Sequence, residues 1–167
     1  VELIGGADGI AKSLVMSALK KGKTVITANK ALLASHSTKI NKIIMAQKTG
    51  FYFEAAVASA IPIINAINTG ISSNQIKHIK AILNGTCNFI LSDMKENNSS
   101  FIVALKKAQK LGFAESNPNF DIKGVDAAQK LSILGMLAFG VQPKLKNIYT
   151  EGIEKISNLD MTYSERL

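Results

Sequence analysis

The densest run of polar chemistry in the 167-residue chain is Glu115-Ser116-Asn117-Pro118-Asn119-Phe120-Asp121, followed by Asp126 and Lys130. Carboxylates and a lysine gathered this closely are residue types that can move protons and stabilise charge. Asp126 and Lys130 are four residues apart, so on a helix they share a face, with the anion toward the N-terminus as the macrodipole favours. Taken alone, such a pair is a solvated ion pair worth about 0.2–0.5 kcal/mol. Lys130 also opens the apolar run Leu131–Phe139, where a desolvated lysine is the alternative to a solvated one. A second lysine stands in Thr27-Ala28-Asn29-Lys30, just past the end of a β-branched run. The carboxyl edge of a parallel sheet is where open α/β folds bind ligands, although a lysine there is otherwise an ordinary loop residue. The segment Glu54–Pro62 is rich in small residues that let backbone carbonyls or a flat ring approach; read plainly, it is a tight strand-to-helix connection with Pro62 at the first helical position. His36 and His78 have no ligand spacing around them, and Cys87 reads as a small buried hydrophobe.

These groups need elements to hold them. Val1–Gly5 is a short apolar run, and a helix is predicted over 8–21 with Ile10, Leu14 and Ala18 on its buried face and Gly22 as its stop. A strand over Thr24–Ala28, a helix over Thr38–Gln47 (Ile40, Ile43, Ile44) and a strand over Phe51–Ala56 complete a βαβαβ order. Helical connections of this length imply parallel strands with right-handed crossovers, so residues 1–56 read as half of a doubly wound sheet. The other half should carry a G-x-G-x-x-G turn for a pyrophosphate, and no such string occurs in the chain. Any phosphate cradle is therefore expected upstream of Val1.

Beyond residue 56 the rhythm changes. A helix is predicted over Ile61–Gly70, a strand over Gln75–Leu83, an amphipathic helix over Phe101–Leu111 ended by Gly112, and a buried helix over Gly124–Phe139 stopped by Gly140. Asn84-Gly85 after a strand is a hairpin signal by itself. The boundary between the two parts is placed near 54–62.

Composition narrows the classes. Apolar residues make up 47% and charged ones 19%, which fits a globular α/β protein and no membrane span. One cysteine excludes a disulfide framework and agrees with a reducing cytoplasm. The net charge is +8, but the lysines are scattered over helix faces, there is no Trp, and aromatics are 6%, so nucleic acid is not the expected partner. The chain starts with Val inside an apparent strand and is expected to be an internal piece of a longer protein.

Four stretches in register then resemble one family: Thr27–Ala34; Glu54–Pro62; Ile82–Leu91 with Asn84-Gly85-Thr86-Cys87-Asn88; and Leu111–Glu115 running on through Asp121, Gly124, Asp126 and Lys130-Leu131. That family is homoserine dehydrogenase, and the resemblance covers about residues 1–157. It implies NAD(P)-dependent interconversion of L-aspartate 4-semialdehyde and L-homoserine, on the path to threonine, methionine and isoleucine, by a cytoplasmic oxidoreductase. The fold implied is the second half of a Rossmann-like sheet in 1–56 and an α+β substrate and dimerisation domain in 57–167, cut at its C-terminus.

By the same resemblance Lys130 matches the proton-donating lysine, Lys30 the second active-site lysine, and Asp126 an acid of the same catalytic group. Glu115, Asp121 and Asp126 match substrate-binding acids; Asn29, Lys30, Gly112 and Glu115 match cofactor contacts. Backbone oxygens of Glu54, Val57, Ser59 and Ile61 match a Na+ or K+ site. In the family Asn84-Gly85-Thr86 leads into a helix, which replaces the hairpin reading. Three positions depart from the pattern: Ser59 and Ala60 stand where two glycines are usual, and Asn117 where an Asp is usual. The implied partners are a small amino-acid semialdehyde and a second copy of the chain. The rival reading is a non-catalytic binding or assembly module derived from such a domain.

Overall fold

Three chain segments lie side by side in parallel. In the computed structural model, which describes residues 1–141 and 143–164, β1 (Val25–Ile26) pairs with β2 (Phe51–Tyr52) in the register Val25 to Phe51 and Ile26 to Tyr52. Glu2 makes a single parallel bridge to Thr27 on the other side. The predicted order and direction are therefore present, but the ladders are shorter than the β-branched runs. The strand expected through Ala56 stops at Tyr52 because Phe53 turns and Glu54–Ala56 winds into a 3-10 turn.

Two compact units make up the chain. The first comprises Val1–Lys80 and Gln129–Ile148, the second Ala81–Ala128 and the described residues from Tyr149 on. The last three residues of the region 57–167 lie outside the described residues.

In the first unit, α1 (Ile10–Lys20) and α2 (Lys30–Gln47) pack on the strands around Val15, Leu19, Val25, Leu32 and Ile40. The buried stripe of α1 is Ala11, Val15 and Leu19, one residue on from the predicted one; Ile10 and Leu14 are 76% and 49% exposed. Both stripes repeat every four residues, so periodicity alone cannot rank them, and contact with Leu32 and Ile40 does. Gly22 ends α1 as predicted: at φ +69 it lets its own N–H reach Leu19 O and that of Lys23 reach Ala18 O, a Schellman closure.

Helix α2 begins at Lys30, not Thr38, because the Asn29 side chain caps it by accepting from the Leu32 N–H at 3.0 Å. The Leu32-Leu33-Ala34 run is thus buried helix instead of loop. The segment predicted helical over 61–70 is α3 (Ile63–Asn65) continued by a π-turn, Ala66–Gly70, with Pro62 one place before the helix.

The second unit is helical. Helix α4 (Gly85–Asn97) packs on α5 (Phe101–Lys110) over Ile90, Met94, Ala104 and Ala108, with Ala114 and with Ile122 of the short α6 (Asn119–Ile122). Buried Asp93 ties the turn between α4 and α5, accepting from Ser99 Oγ at 2.8 Å, Asn97 Nδ2 at 2.9 Å and Lys107 Nζ. The Gln75–Leu83 strand is not formed: these residues carry no ladder among the described residues, and a strand outside a sheet leaves its backbone to solvent.

Helix α7 (Val125–Phe139) matches its predicted span and passes from the second unit to the first between Ala128 and Gln129. Ser132, Ile133 and Leu134 are buried as expected, whereas Leu131 and Phe139 are 39% and 46% exposed. Near the end of the chain α8 (Asn158–Ser164) returns to the second unit and closes over α4.

Candidate active site

In the first unit the carboxyl ends of the parallel segments are bound together by a buried polar network. Glu2 is 2% exposed. Its Oε1 accepts from the Ile4 and Gly5 N–H groups at 2.8 and 3.0 Å, and its Oε2 accepts from the Thr27 hydroxyl at 2.6 Å. Thr27 Oγ1 in turn accepts from the Asn29 N–H at 3.0 Å, and Asn29 Nδ2 donates to Gly6 O at 2.8 Å. Burial pushes the Glu2 carboxyl up, but the Thr27 hydroxyl, the Gly5 and Ile4 amides and the Asn29 side chain outweigh it and hold the group below its ordinary value. The network fixes Asn29, and with it Lys30 at the first position of α2, on the ligand-binding edge that open sheets use. Lys30 is half-buried.

The Glu54–Ile61 segment is tightly wound. Ala58 sits at φ +50, the Ile61 N–H donates to Ala58 O at 2.6 Å, and the Ile63 N–H donates to Ile61 O at 2.7 Å. The Glu54 side chain, which sequence reasoning left unassigned, accepts from the Ile64 and Asn65 N–H groups at 2.9 and 3.0 Å and so caps α3. Val57 is fully buried, whereas Ser59, Ala60 and Ile61 are exposed, so the side chains standing where glycines are usual reach solvent here.

The second unit holds the acidic cluster. Asp121 Oδ1 and Asp126 Oδ2 accept from the same Asn84 Nδ2, at 2.6 and 2.9 Å. Asn84 caps α4 through its Oδ1, which accepts from the Cys87 N–H at 2.8 Å. Asn84 and Asp126 are 8% and 4% exposed, and Asp121 is half-buried. The next residues of the same turn anchor the same loop: Thr86 Oγ1 donates to Phe113 O at 2.6 Å, and Cys87 Sγ donates to Asp121 O at 3.3 Å. Burial first, then the Asp121 and Asp126 charges, push the Cys87 thiol up to about 11.

Phe113 stacks on Phe89 with ring centroids 4.5 Å apart. Gly112 has φ +80, and no atom lies within 4 Å of where a Cβ would stand. Glu115 is exposed; its carbonyl accepts from Gln109 Nε2 at 3.1 Å. The Asn117 side chain, in place of the usual acid, accepts from the Asn119 N–H at 3.3 Å in a local turn.

Lys130 is half-buried on α7 and belongs with Lys30 and Asn29 to the first unit; Gly112, Glu115, Asp121 and Asp126 belong to the second. The structure thus brings Asp121 and Asp126 together, and it supplies two groups that sequence reasoning did not assign, Glu2 and Asn84. Glu2 carried the signal of a carboxylate inside a strand-like run, and Asn84 that of an Asn directly before a helix. Among the described residues no three His, Cys, Asp or Glu side chains form a metal-binding group.

Short parallel strands joined by helices, with polar residues gathered at their carboxyl ends, define an α/β fragment of a Rossmann-like fold. A family model for homoserine dehydrogenase matches residues 62–167. A homoserine dehydrogenase of Neisseria gonorrhoeae is 48% identical over 167 residues, which are 100% of this chain and 38% of that relative. The crystal structure of a homoserine dehydrogenase from Thiobacillus denitrificans superposes with a TM-score of 0.93 at 47% identity, over 99% of this chain and 38% of that one. A hyperthermophilic archaeal homoserine dehydrogenase in complex with NADPH superposes with a TM-score of 0.83 at 27% identity, over 93% of this chain and 49% of that one. The chain belongs to the homoserine dehydrogenase family, and it spans 38% of the length of the curated relative.

Proposed function

We propose that the chain forms the catalytic part of a homoserine dehydrogenase, interconverting L-aspartate 4-semialdehyde and L-homoserine with NADPH or NADH. The observation that carries the reading is the paired Asp121 and Asp126 carboxylates on one Asn84 amide, in a chain of this family. Two buried or half-buried anions form an acceptor-only cradle, and an ammonium group is the complementary ligand. In this reading Asp121, Asp126 and exposed Glu115 take the substrate amine. Lys130 donates a proton to the substrate oxygen as the carbonyl becomes an alcohol, and Asp126 stands one turn earlier on α7. Lys30, set in place by Asn29 and Glu2, is the second cation we assign to the reaction.

A half-buried Lys30 at the carboxyl edge of the parallel strands suits a nicotinamide dinucleotide, which would supply or accept the hydride when bound. Asn29, Lys30, Gly112 and Glu115 are the residues we assign to hold it. For a Na+ or K+ ion we assign the backbone oxygens of Glu54, Val57, Ser59 and Ile61. The Ile61 oxygen already accepts one hydrogen bond, from Ile63, and a carbonyl oxygen has a second lone pair to give.

Without a G-x-G-x-x-G turn in its 167 residues the chain by itself is expected to bind NADPH weakly and turn over poorly. The domain division 1–56 and 57–167, a homodimer through the second of these regions, and a cytoplasmic setting complete the proposal. Support for the dimer is the Gln75–Leu83 segment, which has a strand's composition but joins no sheet among the described residues, with Ile82 78% exposed. No described helix is long and apolar enough to cross a membrane.

The test uses this segment within a protein of its relatives' full length, assayed for aspartate-semialdehyde-dependent oxidation of NADPH. Lys130→Ala is expected to lower kcat by about 10²–10⁴, the range of a general acid, while NADPH affinity stays nearly constant. No turnover by the folded unsubstituted protein overturns the reading; an unchanged kcat in the variant removes Lys130 from the chemistry.

A further inference from the structure

The Asp121 and Asp126 pair raises a question that the proposed function does not answer. Two carboxylates converging on one point repel. A donor shared between them offsets that repulsion and leaves their remaining lone pairs to an ammonium group.

Asn84 has the required valence. Its Nδ2 carries two protons, and an oxygen of each carboxylate lies within hydrogen-bond reach of it, Asp121 Oδ1 at 2.6 Å and Asp126 Oδ2 at 2.9 Å. A neutral amide adds no charge, so it quenches repulsion between the two acids without cancelling their pull on a cation. Its orientation is also fixed. The Oδ1 accepts from the Cys87 N–H at 2.8 Å, and a flipped amide would face that N–H with its own donors and both carboxylates with its oxygen. The cap of α4 therefore dictates which end of Asn84 meets the acids. Thr86 and Cys87, on the same turn, hold the loop that carries Asp121 by its Phe113 and Asp121 carbonyls, so acids and amide keep their spacing.

We propose that Asn84 is a positioning residue for amine recognition: a dual donor, locked by the α4 cap, that holds Asp121 and Asp126 as a paired acceptor for the substrate ammonium. This rests on the homoserine dehydrogenase reading above and adds a specificity-setting residue to it.

Capping and pairing can be separated, because Asn, Asp and Ser cap helices about equally well. Asn84→Asp keeps the cap and removes both donors; Asn84→Ser keeps the cap and one donor. The full-length enzyme and both variants are compared for KM of aspartate semialdehyde, KM of NADPH, thermal midpoint, and L-homoserine binding by calorimetry. The expected order of amino-acid affinity is the unsubstituted enzyme first, Asn84→Ser second and Asn84→Asp last. For Asn84→Asp the semialdehyde KM should rise about tenfold or more, the size of a lost hydrogen bond to a charged group. NADPH KM is expected to stay within about twofold, since the lost contacts touch only the amine side. Equal semialdehyde KM in all three folded proteins reduces Asn84 to a cap and overturns the inference. Should Asn84→Asp fail to fold, the ratio of semialdehyde KM between Asn84→Ser and the unsubstituted enzyme decides: a ratio of one overturns it, a clear rise supports it. An unsubstituted enzyme that neither turns over nor binds homoserine overturns the functional reading itself, a result distinct from an active enzyme indifferent to substitution of Asn84.

Discussion

Single side chains in this chain act through what they accept. Glu2 receives two backbone N–H groups and a hydroxyl in a site 2% exposed, so hydrogen bonds stabilise its charge. Its carboxyl is held below the ordinary 4.5, so the stabilisation it contributes is complete above that value and disappears as pH falls through the lower folded one. Glu2→Gln is expected to cost about 1–3 kcal/mol near neutral pH, with the difference from the unsubstituted protein shrinking in acid below pH about 4.5. Urea titrations at several pH values measure both; a difference that grows in acid would contradict the sign. The residues naming the acidic site, Asp121 and Asp126, were legible because they stand in one dense polar stretch. Asn84 was not, because its partners lie 37 and 42 positions away and nothing local announces a contact that distant.

At the scale of elements, helix ends were read more easily than helix faces. Gly22, Gly112 and Gly140 all end helices at positive φ, a conformation that favours glycine whatever the surroundings. The stripe of α1 depended instead on which of two equal apolar rows meets α2. Leu19→Ala is accordingly expected to cost about 2–5 kcal/mol and Leu14→Ala less than about 0.5, measured by denaturant unfolding. The start of α2 was hidden inside Thr27-Ala28-Asn29-Lys30, where Asn29 reads equally as loop or as cap. Gln75–Leu83 has a strand's composition, but a ladder is a nonlocal property that no single stretch of sequence contains. Gly124, at φ +78 before α7, is pressed against the chain: a Cβ there would stand 3.0 Å from Thr150 Cγ2 and 3.1 Å from Glu151 O. Gly124→Ala should therefore destabilise the second unit by roughly 1–3 kcal/mol, and hydrogen exchange of α6 amides should speed up with it. Unaltered exchange would show that the loop yields.

For the molecule as a whole, the alternation of strands and helices in the first part, and its parallel direction, followed from connection length alone, which is why the α/β class was accessible before any coordinates. The two-unit packing was not, since α7 supplies residues to both and its sequence carries no mark at Ala128 or Gln129. The proposed dimer is checked by sedimentation of a full-length protein, where a species of monomer mass at micromolar concentration would remove it. Cys87 bears on how such work is done. It is the single cysteine of the chain, its sulfur is turned into Asp121 O, and its thiol is raised to about 11. Maleimides and disulfide reagents consume thiolate, so at neutral pH this sulfur should stay silent while the fold holds. A cysteine introduced on the outer face of α1 or α5 would then be the one reactive handle in this stretch of polypeptide, and sudden labelling of the native one would report, without any added probe, that the acidic cradle had come apart.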